Sequence, residues 1–356
     1  MVDIIYFIFV LGLLIFVHEL GHFAIAKWVG IRVEQFSLGF PPKMVGFQRG
    51  ETEYRIGWIP LGGYVKMAGE RPDEADVSGA ADEFMSKRVW QRTLVILAGP
   101  TMNYILAVVI LAGIYFFQGK QVVDDNHAVI GAVVDKSPAQ QVGLQAKDEI
   151  IAVDDSTVTN FSSLFRLVSG RPDQSVNLTW LRGTDTLHGQ VTTWADTGMN
   201  MQGKVVTVGR IGIYQDFTYE RLGLGAAMAE GFNTTNGWAA ALVKFLKDVL
   251  TFSVSSKLIG GPLFIAQAVG QAAQEGFVAI MLLAAILSVN LCLINLVPIP
   301  ALDGGQLMFL VVEKIKGSPV SMRTRAIMQQ AGFVALIVLI IFVTRNDIWR
   351  IMNFGW

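Results

Sequence analysis

Four stretches of this chain are long and apolar enough to cross a bilayer, and no other feature narrows its possible folds as much. They run roughly over residues 4–29, 93–117, 277–297 and 331–343, the last reaching full length only with residues 328–330 added. About 20 residues are needed to span the hydrocarbon, where backbone amides must be satisfied within the segment, so each run is expected to be a helix. Hydrophobic residues make up 52% of the 356 positions and charged residues only 16%. With a mean hydropathy of +0.47, an ordinary soluble enzyme is excluded. The net charge of −1 offers no basic face for nucleic acid. A single cysteine, Cys292, rules out intrachain disulfides and multi-cysteine metal sites. Any metal must be held by His, Asp or Glu.

The first run lacks a basic leader and a small-residue cleavage pattern, so it reads as a retained span. The expected organisation is a first span over 1–30, a glycine-rich segment over 31–92 and a second span over 93–117. A hydrophilic block follows over 118–220, then amphipathic interfacial helices over 221–276 and a third span over 277–310. A short loop over 311–329 and a fourth span with its tail over 330–356 complete the chain. Basic residues near span ends set orientation. Arg32, Lys43, Lys87, Arg88 and Arg92 place the 31–92 segment in the cytoplasm, as Lys314, Lys316, Arg323 and Arg325 place the 311–329 loop. Arg345 and Arg350 in the tail argue weakly the other way. The 118–276 block is then extracytoplasmic. Within it, residues 127–194 alternate like strands in AVIGAVV, EIIAVDD, SVNLTWL and TLHGQVTT, with short helices at 137–143 and 161–169. Trp238, Leu242, Phe245, Leu246, Val249 and Leu250 recur at helical spacing, as in a helix lying on a membrane surface.

Ionisable groups are costly and rare in hydrocarbon, yet the first span contains HELGH, with His18, Glu19 and His22. On a helix, residues four apart share a face, so His18 and His22 can hold one metal ion while Glu19 takes a proton from a water. Imidazole and carboxylate ligands with one position left open fit zinc best among the common ions. A third ligand is needed. His127 and His188 belong to the outer block, whereas SVNLCLINLVPIPALDGGQL at 288–307 brings Asp303 after a helix broken at Pro298 and Pro300. Broken helix at membrane depth is tolerated where it lines a cavity. Spacing alone leaves Asp303 open between a ligand and the cap of a helix starting at Gly304. Asn295 could donate to a substrate carbonyl. For Asn103 an interhelical hydrogen bond is the plainer alternative to a substrate contact.

HELGH, the NLVPIPALDGG segment and the block between them resemble the site-2 protease family of intramembrane zinc metalloproteases. FSLGFPPK at 36–43, YRIGWIPLGGYVKMAGE at 54–70 and RVWQRTLVILAGPTMN at 88–103 are similar to its bacterial regulator of sigma-E protease type. The resemblance implies one Zn²⁺ per chain held by His18, His22 and Asp303, with Glu19 as the general base. It implies substrate contacts at Asn295, and Gly62, Gly63 and Asn103 are further candidates. AVIGAVVDKSPAQQVGLQAKDEIIAVDD at 128–155 is similar to the family's PDZ domains, and 118–220 has room for one. The fold expected is a polytopic α-helical membrane protein with about four transmembrane helices. To these the resemblance adds a membrane-re-entrant β-sheet and one extracytoplasmic α+β PDZ domain. Short strands at 36–39, 44–47, 53–58 and 64–67 would build the sheet, whose edge could take an extended substrate by strand addition. The implied setting is the bacterial inner membrane, with the active site toward the cytoplasm. The implied partners are membrane lipids and single-span substrates such as anti-sigma factors or remnant signal peptides. The rival expectation is an inactive, membrane-anchored PDZ scaffold, against which the intact Glu19 and Asp303 argue.

Overall fold

The computed structural model describes residues 2–70, 79–199 and 204–354. In chain order the elements begin with α1 (Val2–Trp28), β1 (Val33–Arg49), β2 (Thr52–Met67) and α2 (Val89–Phe117). Next come β3 (Lys120–Val123), β4 (Ile130–Val133), α3 (Pro138–Gln141), β5 (Glu149–Val153), β6 (Ser156–Thr157) and α4 (Phe161–Ser169). They continue with β7 (Ser175–Arg182), β8 (Asp185–Thr192), β9 (Trp194–Met199), β10 (Val205–Arg210), β11 (Ile213–Gln215) and β12 (Phe217–Glu220). The chain closes with α5 (Leu224–Leu250), α6 (Pro262–Glu275), α7 (Phe277–Asn295), α8 (Asp303–Lys316) and α9 (Met322–Phe354). Two compact units result: residues 1–114, 224–247 and 259–356 form one, and residues 115–223 and 248–258 the other.

Among the described residues, four helices are long and apolar enough to cross a membrane: Ile5–Trp28, Val89–Phe117, Phe277–Asn295 and Arg323–Asn353. The last begins earlier than the sequence expectation. Hydropathy placed the fourth span from about residue 330, but α9 starts at Met322, because MRTRAIMQQ is polar yet helix-forming. The 311–329 loop is correspondingly short, since α8 occupies Asp303–Lys316. α8 ends on Gly317, whose φ of 77° is left-handed, with Lys314 and Lys316 in the last turn to meet the carbonyl end of the helix dipole.

β1 and β2 fold back on themselves. Phe36 pairs with both Tyr54 and Val65, while Phe47 also pairs with Tyr54. The ladder is therefore four short strands, in the order 43–49, 52–57, 35–38, 63–67, close to the four expected. Its apolar face packs on α1: Phe36 meets Phe16 and Phe23 edge-on at 6.1 and 5.3 Å. The opposite face carries ions, Glu53 between Lys43 (2.5 Å) and Arg55.

In the second unit, β6, β5, β7 and β8 form an antiparallel sheet in that order. α3 and α4 complete a core around Ile130, Ile150, Leu164, Leu178 and Trp180. α4 starts at a reciprocal cap between Asn160 and Ser163. The four strands and two helices read from the alternation are all present. β11 pairs with β4 and β12 with β3, long-range ladders with no local signal in the sequence.

Candidate metal centre

α1 brings His18 and His22 onto one face, 8% and 9% exposed. Their Nε2 atoms lie 3.1 Å apart. Asp303 Oδ2 lies 3.2 Å from the first and 3.5 Å from the second. Bonds of about 2.0–2.1 Å in tetrahedral array put ligand atoms about 3.3–3.4 Å apart, so these three atoms match one face of such a site. Asp303 Oδ2 is buried and has no hydrogen-bond partner, as expected of an atom kept for a cation. The donor set of two imidazoles and a carboxylate fits zinc.

The capping alternative for Asp303 fails. The N-cap of α8 is Leu302, and Asp303 is the first helical residue. Gly304 and Gly305 let α8 begin directly against the turn at 296–300, because a Cβ on either would run into the carbonyls of Leu296, Val297 or Ile299.

α2 fixes both rings. His22 Nδ1 donates to Val95 O at 2.8 Å. The Asn103 side-chain amide lies 3.1 Å from His18 Nδ1. With His18 Nε2 kept for a metal ion, Nδ1 carries the proton and the Asn103 amide presents its oxygen to it as the acceptor. Both Nδ1 atoms then carry the protons, and both Nε2 lone pairs face Asp303. Asn103 is fully buried against His18, in keeping with the interhelical hydrogen bond expected as the plainer alternative. Ser288 on α7 in turn donates to Asn103 O at 2.7 Å. Gly99 makes room for the rings; a Cβ there would lie 2.8 Å from His18 Cε1 and 2.7 Å from His22 Cε1. Sequence reading passed over Gly99 and Val95, although Gly99–Pro100 inside an apolar run, four residues before Asn103, was a usable signal.

Glu19 and Asn295 flank the cluster. Asn295 Nδ2 is 3.4 Å from His18 Nε2. Gly63 lays bare backbone beside Glu19: a Cβ there would be 3.0 Å from Glu19 Cγ and 2.8 Å from Ile15 Cγ2. Gly62 lies under the Phe40 ring.

The sequence profile of peptidase family M50 matches residues 6–339, nearly the whole chain and all of the residues just described. The chain belongs to peptidase family M50. Relatives agree along the full length. Zinc metalloprotease RasP of Geobacillus kaustophilus is 31% identical over 98% of this chain and 98% of its own. Zinc metalloprotease RasP of Oceanobacillus iheyensis is 29% identical over 99% and 100%. A protein of Agrobacterium fabrum named as a candidate zinc metalloprotease is 34% identical over 96% and 94%. A solved PDZ domain of an SdrC-like protein from Listeria monocytogenes covers 26% of this chain and 90% of itself, at 20% identity and a TM-score of 0.21. As an M50 peptidase with membrane-spanning helices, this chain is a zinc-dependent metalloprotease of the site-2 protease family.

Proposed function

We propose that this M50 peptidase cuts single-span membrane proteins within the bilayer, with His18, His22 and Asp303 holding zinc and Glu19 acting as the general base. The observation that carries the reading is the convergence of three buried ligand atoms at 3.1, 3.2 and 3.5 Å beside a carboxylate in a membrane-spanning helix. Bound zinc supplies Lewis acidity, polarising a water and a carbonyl so that hydrolysis proceeds near neutral pH. Glu19 takes the proton of the attacking water and passes it to the leaving amine. Asn295 offers its Nδ2–H to the oxygen of the scissile peptide, where charge develops. Val95 and Asn103 keep the imidazole tautomers fixed throughout.

The strand over 63–67 forms an edge of the four-stranded ladder and starts at Gly63, against Glu19. An unwound substrate segment added to that edge would pass the general base with its amides satisfied. Helix-breaking residues in the substrate favour the unwinding. Exposed Val45, Phe47, Ile56 and Trp58 near the tip of the sheet support its re-entry into the membrane, and the basic segments at 87–92 and 314–325 support a cytoplasmic active site. The second unit, read as an extracytoplasmic PDZ domain, holds a groove of about 690 Å³ between α4 and residues 209–214. That groove suits a filter or holder for substrates already trimmed outside the membrane, such as anti-sigma factors or remnant signal peptides.

The test is cleavage of a single-span reporter in proteoliposomes by the wild type and Glu19→Gln, with bound zinc measured in both. Zinc is expected to stay near one per chain in the variant while cleavage falls at least a thousandfold. Cleavage at wild-type rate by Glu19→Gln would remove Glu19 from its role. Activity surviving complete metal removal would overturn the mechanism.

A further inference from the structure

Arg92, Val95, Gly99 and Asn103 recur on α2 at spacings of three, four and four, which puts all four on one face. Three of them serve the metal centre directly: Val95 holds His22, Gly99 makes room for both rings, and Asn103 holds His18. Arg92, two turns before Gly99, is 3% exposed and takes no part in the chemistry. Its guanidinium grips Glu313 through two bonds, Nη1 to Oε2 at 3.0 Å and Nη2 to Oε1, while Nε donates to Lys87 O at 3.1 Å. Glu313 is 7% exposed and lies on α8, the helix that starts with Asp303. Arg325 on α9 shares Glu313 Oε2 at 3.3 Å and lies 5.7 Å from the centroid of the Phe309 ring.

A buried ion pair contributes little net stability compared with apolar packing, because both charges lose their water. What it can supply is a unique register between two helices. α8 needs one. Its N-terminal end rests on two glycines against bare backbone, and Leu302 makes no side-chain cap. No side chain of those residues keys the rotation of the helix at the end where Asp303 must point at the imidazoles.

We propose that the Arg92–Glu313 pair is a positioning device for the metal centre. It sets the height and rotation of α8 against the same face of α2 that orients His18 and His22. One helix face thus aligns all three ligands, two through direct contacts and the third through the far end of its own helix. This rests on the assignment of zinc to His18, His22 and Asp303.

The test is zinc affinity, measured on the purified full chain by competition with a chromophoric chelator. Arg92→Lys keeps the charge but cannot make the paired bonds. Arg92→Met/Glu313→Gln removes one charge of each sign and leaves an amide oxygen for Arg325. Both are expected to weaken zinc binding by about 10–100-fold, Arg92→Lys with the thermal midpoint of the zinc-free protein within a few degrees of wild type. Wild-type affinity in a folded Arg92→Lys overturns the proposal, as does a loss that merely tracks the unfolded fraction. Arg92→Lys decides the matter if the double variant does not fold. His18→Ala, measured alongside, separates the two ideas: retained zinc there would overturn the site itself, whereas lost zinc with an unaffected Arg92→Lys overturns the positioning role alone.

Discussion

At the scale of single residues, the two histidines are backed by groups on α2. Asn103 is the strongest case, being fully buried with its amide against His18. Asn103→Leu leaves the His18 Nδ1–H unpaired in a dry site, so zinc affinity is expected to fall about 10–100-fold, read by chelator competition. Gly99 makes a sharper case, because a control lies on the same helix. A Cβ at Gly99 collides with two rings whose Nδ1 atoms are already tied down, whereas a Cβ at Gly113 meets nothing within 4 Å. Gly99→Ala should abolish zinc binding and activity. Gly113→Ala should leave both intact and stabilise the helix by up to about 1 kcal/mol. Equal effects from the two substitutions would mean that helix propensity, not room for the rings, explains Gly99. These residues also mark how far the sequence could be read. HELGH identifies itself through spacing, whereas spacing left Asp303 open between ligand and helix cap, and the family resemblance singled it out. Gly99 acts through an absent side chain, marked only by the Gly99–Pro100 pair in an apolar run, and Val95 through a backbone carbonyl that leaves no chemical signature in the sequence.

At the scale of elements, helix ends show what the sequence conceals. α6 begins at Gly261, which has no side chain to cap it. The cap comes from α9: Asp347, 2% exposed, accepts from Gly261 N at 2.9 Å and Phe264 N at 3.1 Å. A carboxylate at a helix N-terminus satisfies orphan amides and meets the positive end of the dipole. Arg350, one turn further along α9, adds a contact 4.7 Å from the Phe264 ring. Asp347→Ala strips both amides of their acceptor and should lower stability by about 1–3 kcal/mol, seen as a lower unfolding midpoint. Asp347→Asn, which keeps one acceptor oxygen, should recover part of the loss. An Asp347→Ala protein as stable as wild type would show that water replaces the cap. The pairing joins residues 86 positions apart, and the same distance in sequence hid β11 and β12, whose partners lie far back along the chain. Local alternation was enough for β5, β7 and β8 because each buries one face in the core of its own unit.

At the scale of the whole molecule, the four apolar helices and the strand-rich block between the second and third were legible, because each obeys a rule of period or of cost in hydrocarbon. The four-stranded ladder over 33–67 was legible as strands, but its two-sidedness emerges only from the register. Phe47 opposes Tyr54 and Val45 opposes Ile56 on one face, while Gln48 opposes Glu53 on the other. Phe47 is 63% exposed and Trp58 64%, and charges are held together on the reverse side by Lys43, Glu53 and Arg55. An apolar patch of this kind on a water-facing hairpin would be a liability; against lipid it is favourable, provided the ionic face looks onto protein or water. The arrangement makes a period-two prediction for neighbouring positions. A photo-crosslinking residue in place of Phe47 should label phospholipid in proteoliposomes, and the same residue in place of Gln48 should label it at least several-fold less. Equal labelling at both positions would show that the strand lies flat in the headgroups. Labelling at neither would place the hairpin in the aqueous phase, and the substrate would then have to leave the membrane to reach Glu19.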